Sequence, residues 1–144
     1  MSGPGIVVVG LGYVGLPLAV ALARRFDVTG FDHDATRIAE LRQGRDRTRE
    51  VDEAALRDST ISLTDEAEDC RGADIYIVTV PTPVHEANQP DLSALLSATR
   101  TIAGLIRPEN RPTIIYESTV YPGVTEDICG PEIERVSGLT RGRE

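Results

Sequence analysis

The sequence predicts an α/β chain built on a parallel, doubly wound sheet, and three observations predict it. Short apolar, mostly β-branched runs alternate with helical stretches along the length. Gly10-Leu11-Gly12-Tyr13-Val14-Gly15 stands between the first such run, Ile6–Val9, and the first helical stretch. An acid, Asp32, closes the second run, Val28–Phe31. A helix between two strands is a crossover connection, so the strands it joins are expected to be parallel.

In chain order, the first strand is expected at Ile6–Val9, its helix at Val14–Arg25 and the second strand at Val28–Phe31. A helix follows at Thr36–Gln43, with Asp34 the better candidate for its cap. Residues 44–50 (Gly-Arg-Asp-Arg-Thr-Arg-Glu) read as an exposed charged loop. A short helix at Asp52–Asp58 leads to strand Thr60–Leu63, and another at Asp65–Cys70 leads to strand Asp74–Val80. That fourth strand is apolar with only Thr79 breaking it, as a strand covered on both faces should be. A proline-marked loop runs to Asp91, which is expected to cap a helix reaching about Ile106. The fifth strand is Thr113–Tyr116, and the last helix runs from Thr125 to Val136 with Gly130-Pro131 interrupting it. The polar tail, residues 140–144, is expected to fray.

A length of 144 residues fits one domain with a sizeable core. The net charge is −8, with 23 acids against 15 bases. No basic stripe exists to neutralise phosphates, which argues against a nucleic-acid partner. Every base is Arg, so no lysine base or Schiff base can come from within the chain. Cys70 and Cys129 give no disulfide framework and read as small, half-buried thiols. No metal site is expected. No run approaches ~20 apolar residues and no charged leader precedes the first apolar stretch, so the expectation is a cytoplasmic protein with no membrane partner.

The glycine run carries the chemistry. Gly10 allows a sharp turn, Gly12 lets main chain approach a ligand, and Gly15 lets helix pack on strand. Amides of Leu11, Tyr13, Val14 and their neighbours, with the helix dipole behind them, suit the pyrophosphate of a dinucleotide. Pro17 fits the first turn of a helix, where an N–H has no intrahelical partner. Asp32 can accept hydrogen bonds from both adenosine ribose hydroxyls and would repel a 2′-phosphate, so NAD is expected over NADP. Arg37 is assigned to the adenine face or edge, with a solvated arginine the competing reading. Two further strand ends enter the predicted cleft. In Val80-Pro81-Thr82-Pro83 the prolines either stiffen a cofactor edge or simply end the strand. In Glu117-Ser118-Thr119-Val120 the hydroxyls either meet the cofactor or turn the chain.

These segments together carry a resemblance. G-L-G-Y-V-G-L-P, then Asp32, V-P-T-P and Y-E-S-T-V-Y-P-G-V-T-E-D are similar to the nucleotide-sugar 6-dehydrogenase family, whose best-known members oxidise UDP-glucose and GDP-mannose. V-P-T-P-V, Q-P-D-L and the run from E-S-T-V-Y-P-G through C-G-P-E-I-E-R-V-S-G-L most resemble the bacterial branch acting on UDP-N-acetylhexosamines or their uronates. The matches span residues 6 to 139. The resemblance implies a Rossmann-like fold and an NAD-dependent oxidation of a sugar's primary alcohol. The aldehyde is held as a thiohemiacetal and then a thioester, and hydrolysis gives the uronate, a precursor for surface polysaccharide. It implies that Gly10, Leu11, Gly12, Tyr13, Val14 and Gly15 bind the pyrophosphate, and that Asp32 and Arg37 bind the adenosine side. Val80, Thr82 and Pro83 line the nicotinamide side, Ser118 contacts the cofactor, and Thr119 helps hold the catalytic water.

The family nucleophile is a cysteine in a later substrate domain, with a lysine also downstream, and neither is matched here; Cys129 is not that nucleophile. Residues 1–139 are therefore read as an NAD-binding domain cut before its sixth strand, without the central helix and substrate domain. Such a piece is expected to bind NAD without turnover. The UDP-sugar would be met only through the absent domain, in a parent that is a homo-oligomer. The piece itself is expected to associate through the fifth strand, near Ile114 and Ile115, as an open sheet edge. Two other readings share the glycine turn: a stand-alone nucleotide-sensing module, and the cofactor domain of another two-domain dehydrogenase.

Overall fold

The computed structural model describes residues 3–81, 91–117 and 123–142. Five strands form one sheet: β1 (Gly5–Val9), β2 (Asp27–Phe31), β3 (Ser62–Thr64), β4 (Ile75–Val78) and β5 (Thr113–Tyr116). Their order is β3-β2-β1-β4-β5, and every pair is parallel. The helices are α1 (Gly15–Leu22), α2 (Ala35–Arg42), α3 (Glu53–Asp58), α4 (Ser93–Ala103) and α5 (Gly130–Ser137). The predicted α/β class and doubly wound sheet are the observed ones. The chain reverses its direction of travel across the sheet between β1 and β4, the place where such sheets open a crevice.

Two cores follow from strand geometry. Successive side chains of a strand point to opposite faces. In β1, Ile6 and Val8 join one core with Leu16 and Val20 of α1, Ile38 and Leu41 of α2, and Leu56 of α3. Val7 and Val9 join the other with Tyr76 and Val78 of β4 and Leu95 and Ile102 of α4. A central strand buried on both faces needs an unbroken apolar run, and Ile6–Val9 supplies it. The buried Tyr76 hydroxyl donates to the Cys70 carbonyl at 2.7 Å, so its polar end is satisfied inside the second core.

Element ends differ from expectation for local reasons. α1 stops at Leu22 rather than Arg25, because Arg24 and Arg25 donate to carbonyls three residues back (Ala21 and Leu22) and tighten the last turn. β3 begins at Ser62 rather than Thr60. Thr60 Oγ1 instead donates to the Ala23 carbonyl and Ile61 N–H to Ser59 Oγ, which takes those residues out of the ladder. The expected helix at 65–70 is a 3₁₀ turn, Ala67–Cys70. Asp91 accepts from Ser93 N–H at 2.9 Å, so it does tie the start of α4, one position before the cap residue Leu92. At Gly130-Pro131 the helix is not broken. Residues Thr125–Cys129 widen into a π turn in which Gly130 N–H reaches the Thr125 carbonyl, and α5 continues from there. Pro131 falls in the first turn of α5, where its missing N–H matters least. Both cysteines lie deeper than expected, at 3% and 0% exposure. Burial, then the Asp69 charge, pushes the Cys70 thiol up to about 12; burial also raises Cys129.

Candidate functional site: a cleft at the ends of β1, β2 and β4

β2, β1 and β4 are adjacent and parallel, so their carboxyl ends bring three segments together. They border a cleft of about 560 Å³ lined by Gly10, Gly12, Asp32, Val80, Pro81 and the face of α4 at Ser97 and Ala98, among others.

The three glycines differ in what surrounds them. Gly10 has φ +97°, a conformation that L side chains rarely adopt, and a Cβ there would press on Val80 and the Thr79 carbonyl carbon. A Cβ at Gly15 would overlap the Gly10 carbonyl oxygen and Thr79 Oγ1. At Gly12 no atom of the described residues lies within 4 Å of where a Cβ would stand, so among them the turn is open to the cleft there. The amides of Gly12, Tyr13, Val14 and Gly15 have no hydrogen-bond partner among the described residues. Tyr13 and Val14 are exposed, at 69% and 47%. A bare turn with unpaired donors at a helix N-terminus can receive an anion.

Asp32 sits against that turn. Its Oδ2 accepts the Leu11 N–H at 2.9 Å, and its Oδ1 accepts the Asp34 N–H at 2.9 Å. The side chain is 15% exposed and lines the cleft. Each carboxylate oxygen keeps a further acceptor direction. Asp34 caps α2, as expected, accepting from Thr36 N–H and Arg37 N–H. Asp34 rather than Asp32 therefore takes the cap, as the sequence predicts. Leu11 holds less than expected: its amide is taken by Asp32 and its side chain is buried in the first core.

Arg37 lies beneath the glycine turn, not in solvent as the competing reading has it. It is 5% exposed and is not among the residues lining the cleft. Its Nε and Nη2 both donate to the Leu11 carbonyl, at 2.9 and 2.7 Å, and its Nη2 pairs with Asp46 Oδ1 at 3.0 Å. The helix that Asp34 starts carries Arg37 beneath the turn, where a carbonyl and a carboxylate hold the guanidinium.

Two residues around the turn were not singled out from the sequence. Thr79 Oγ1 lies 2.6 Å from the Gly10 carbonyl and 3.1 Å from that of Val9, tying the turn to the end of β4. Asp46 lies in the loop read as exposed and charged, yet its side chain is 1% exposed. Burial alone would raise its pKa. Hydrogen bonds from the Thr48 hydroxyl, the Val51 and Thr48 amides and Arg37 outweigh that and lower it to about 2. Asp-x-Thr at residues 46–48 is a local turn signal that was available in the sequence. Thr82, Pro83, Ser118 and the expected catalytic residue Thr119 lie outside the described residues, while Val80 lines the cleft.

Residues 5–142 match the family described as the UDP-glucose/GDP-mannose dehydrogenase family, NAD binding domain. Protein CapL of Staphylococcus aureus is 48% identical over 96% of this chain and 32% of its own length. The UDP-N-acetyl-D-glucosamine 6-dehydrogenase of Pseudomonas aeruginosa is 50% identical over 93% of this chain and 32% of its own length. The solved UDP-D-ManNAc dehydrogenase of Pyrococcus horikoshii superposes with a TM-score of 0.86 at 34% identity, covering 96% of this chain and 34% of that one. The chain thus spans about a third of the length of the relatives it matches. With a 3-2-1-4-5 parallel sheet, a bare glycine turn at its switch point and this match over nearly every residue, the chain belongs to the UDP-glucose/GDP-mannose dehydrogenase family, as its NAD-binding domain.

Proposed function

We propose that the turn at residues 10–15 holds the NAD pyrophosphate and that Asp32 holds the adenosine ribose. The observation that carries this reading is the joint placement of Asp32 and the turn: the carboxylate is hydrogen-bonded to Leu11 N–H, beside the amides of Gly12 to Gly15, which are unpaired among the described residues. The cleft fits the group, because donors face the phosphate position and an acceptor faces the sugar. Gly12 presents no side chain between main chain and ligand, and the α1 N-terminus adds favourable potential. Asp32 accepts ribose hydroxyls and disfavours a 2′-phosphate by like-charge repulsion. Val80, which lines the cleft, is assigned to the nicotinamide side. From its sequence motif, Thr82, Pro83 and Ser118 are assigned cofactor contacts, and Thr119 a hydroxyl that orients water without ionising.

For the whole protein, we propose oxidation of the 6-hydroxymethyl group of a UDP-N-acetylhexosamine to the carboxylate, in the cytoplasm, for a surface polysaccharide precursor. NAD, when bound, supplies the hydride acceptor, two equivalents per sugar. The activity of the Pseudomonas aeruginosa relative and the roughly threefold greater length of both relatives support this reading. Residues 1–139 are the cofactor domain in it, and the UDP-sugar is held by a further domain of a homo-oligomeric parent.

Calorimetric titration tests the site. Wild type should bind NAD at least tenfold more tightly than NADP. Asp32→Ala should lose roughly thirtyfold for NAD, about 2 kcal/mol for charged hydrogen bonds, and lose the preference. Equal affinity of wild type for the two cofactors would overturn the assignment of Asp32.

A further inference from the structure

We propose that Asp46 is a positioning residue for the cofactor turn, acting through Arg37 on the peptide between Leu11 and Gly12. The proposal rests on the reading of that turn as a pyrophosphate cradle.

The contacts form one line. Asp46 is fixed by its own loop, accepting from Thr48 N–H (2.9 Å), Thr48 Oγ1 (2.6 Å), Glu50 N–H (2.9 Å) and Val51 N–H (3.0 Å). It presents Oδ1 to Arg37 Nη2 at 3.0 Å, with the two side chains 1% and 6% exposed. Arg37 then grips the Leu11 carbonyl with two nitrogens. Its Nη1 is buried and has no partner among the described residues, so the guanidinium is oriented for the other two nitrogens at the cost of the third.

What this does follows from peptide geometry. A trans peptide is planar, and its N–H points opposite its C=O. The peptide that carries the Leu11 carbonyl carries the Gly12 N–H. Pulling that oxygen toward Arg37 aims the Gly12 amide away from Arg37, at the one glycine of the turn whose Cβ position is open. Thr79 does the same to the preceding peptide: it holds the Gly10 carbonyl, and the Leu11 N–H points the other way, to Asp32 Oδ2. Asp46 is not among the residues lining the cleft, so its effect reaches a ligand through Arg37 and the backbone that Arg37 holds. A lysine would not reproduce the two-nitrogen grip together with the ion pair.

The test uses NAD by calorimetry, adenosine by NMR titration, the Gly12 amide resonance and the thermal midpoint, in wild type, Asp46→Asn, Arg37→Met and Arg37→Lys. Arg37→Met leaves the local bonds of Asp46 intact, so it tests the line even where Asp46→Asn unfolds the 46–51 loop. Asp46→Asn and Arg37→Met are expected to weaken NAD about tenfold, and the double variant no more than the weaker single, because the two act in series. Adenosine, which lacks the pyrophosphate, should change less than twofold. The Gly12 amide resonance should shift before NAD is added, and Arg37→Lys should recover only part of the loss. Wild-type NAD affinity in a folded Arg37→Met chain, with Asp32→Ala still losing NAD, would overturn the proposal and leave the cradle standing. Equal losses for adenosine and NAD would overturn it too, as a merely structural effect. No NAD binding by wild type would overturn the cradle reading and this one with it.

Discussion

Gly12 and Gly15 stand in one turn, yet a methyl group should do opposite things at them. At Gly15 it would collide with the Gly10 carbonyl and Thr79 Oγ1, atoms fixed in the backbone and in a buried hydrogen bond. Gly15→Ala should therefore lower the thermal midpoint by several degrees, a loss of about 2 kcal/mol or more. At Gly12 the space is open, so Gly12→Ala should keep the midpoint and weaken NAD, which paired melting and binding curves will separate. Asp46 gives a pH prediction. Its pKa is depressed in the folded state, so the stability it contributes is full above the ordinary value of 3.8 and is lost as pH falls through about 2. The difference is worth roughly 2 kcal/mol, and Asp46→Asn should flatten acid unfolding between pH 4 and 2. The cap at Asp34 and the place of Asp32 beside the turn were legible because each has a short-range signal: an acid before a helical stretch, and an acid at a strand end. The hold of Arg37 on Leu11 was not, because helix spacing alone does not bring up a carbonyl from residue 11. Asp46 was hidden by its neighbours, since a run of charged residues reads as a solvated loop.

The strands were legible nearly to the residue where an unbroken apolar or β-branched run marks them. The unbroken Ile6–Val9 run gives β1, and Thr113–Tyr116 coincides with β5. Ends governed by side-chain bonding, as at Thr60 and Ile61, were not legible, because a hydroxyl that takes a distant carbonyl leaves no local trace. The π turn at Thr125–Cys129 was also out of reach: a proline signals a break, whereas here one wider turn before it absorbs the irregularity and keeps the helix in line. Cys70 closes the 3₁₀ turn and Cys129 the π turn, and both point into the second core. Thiols raised by burial are weak nucleophiles. Neither should react with a thiol-specific disulfide reagent in the native chain at pH 8, and both should react once it is unfolded; rapid native labelling would contradict the packing.

The order 3-2-1-4-5 was not legible in the alternation of elements, since order depends on how each crossover packs. Three residues from different elements meet on the glycine turn, Asp32 after β2, Arg37 in α2 and Thr79 after β4, so the site is a property of the assembled sheet. No helix among the described residues is long and apolar enough to cross a membrane. β5 is an outer strand of the sheet, and Ile115 on it is 38% exposed. Strand edges of this kind pair with other chains. We propose that this chain self-associates there: sedimentation should show concentration-dependent dimers, and Ile115→Lys should abolish them. Strictly monomeric wild type would remove the proposal. The bond from Leu11 to Asp32 has a last consequence, for anyone wishing to retool coenzyme choice. A neutral replacement that admits the extra phosphate also strips the loop of its brace, so a successful redesign must supply a new acceptor for that amide along with room for the larger coenzyme.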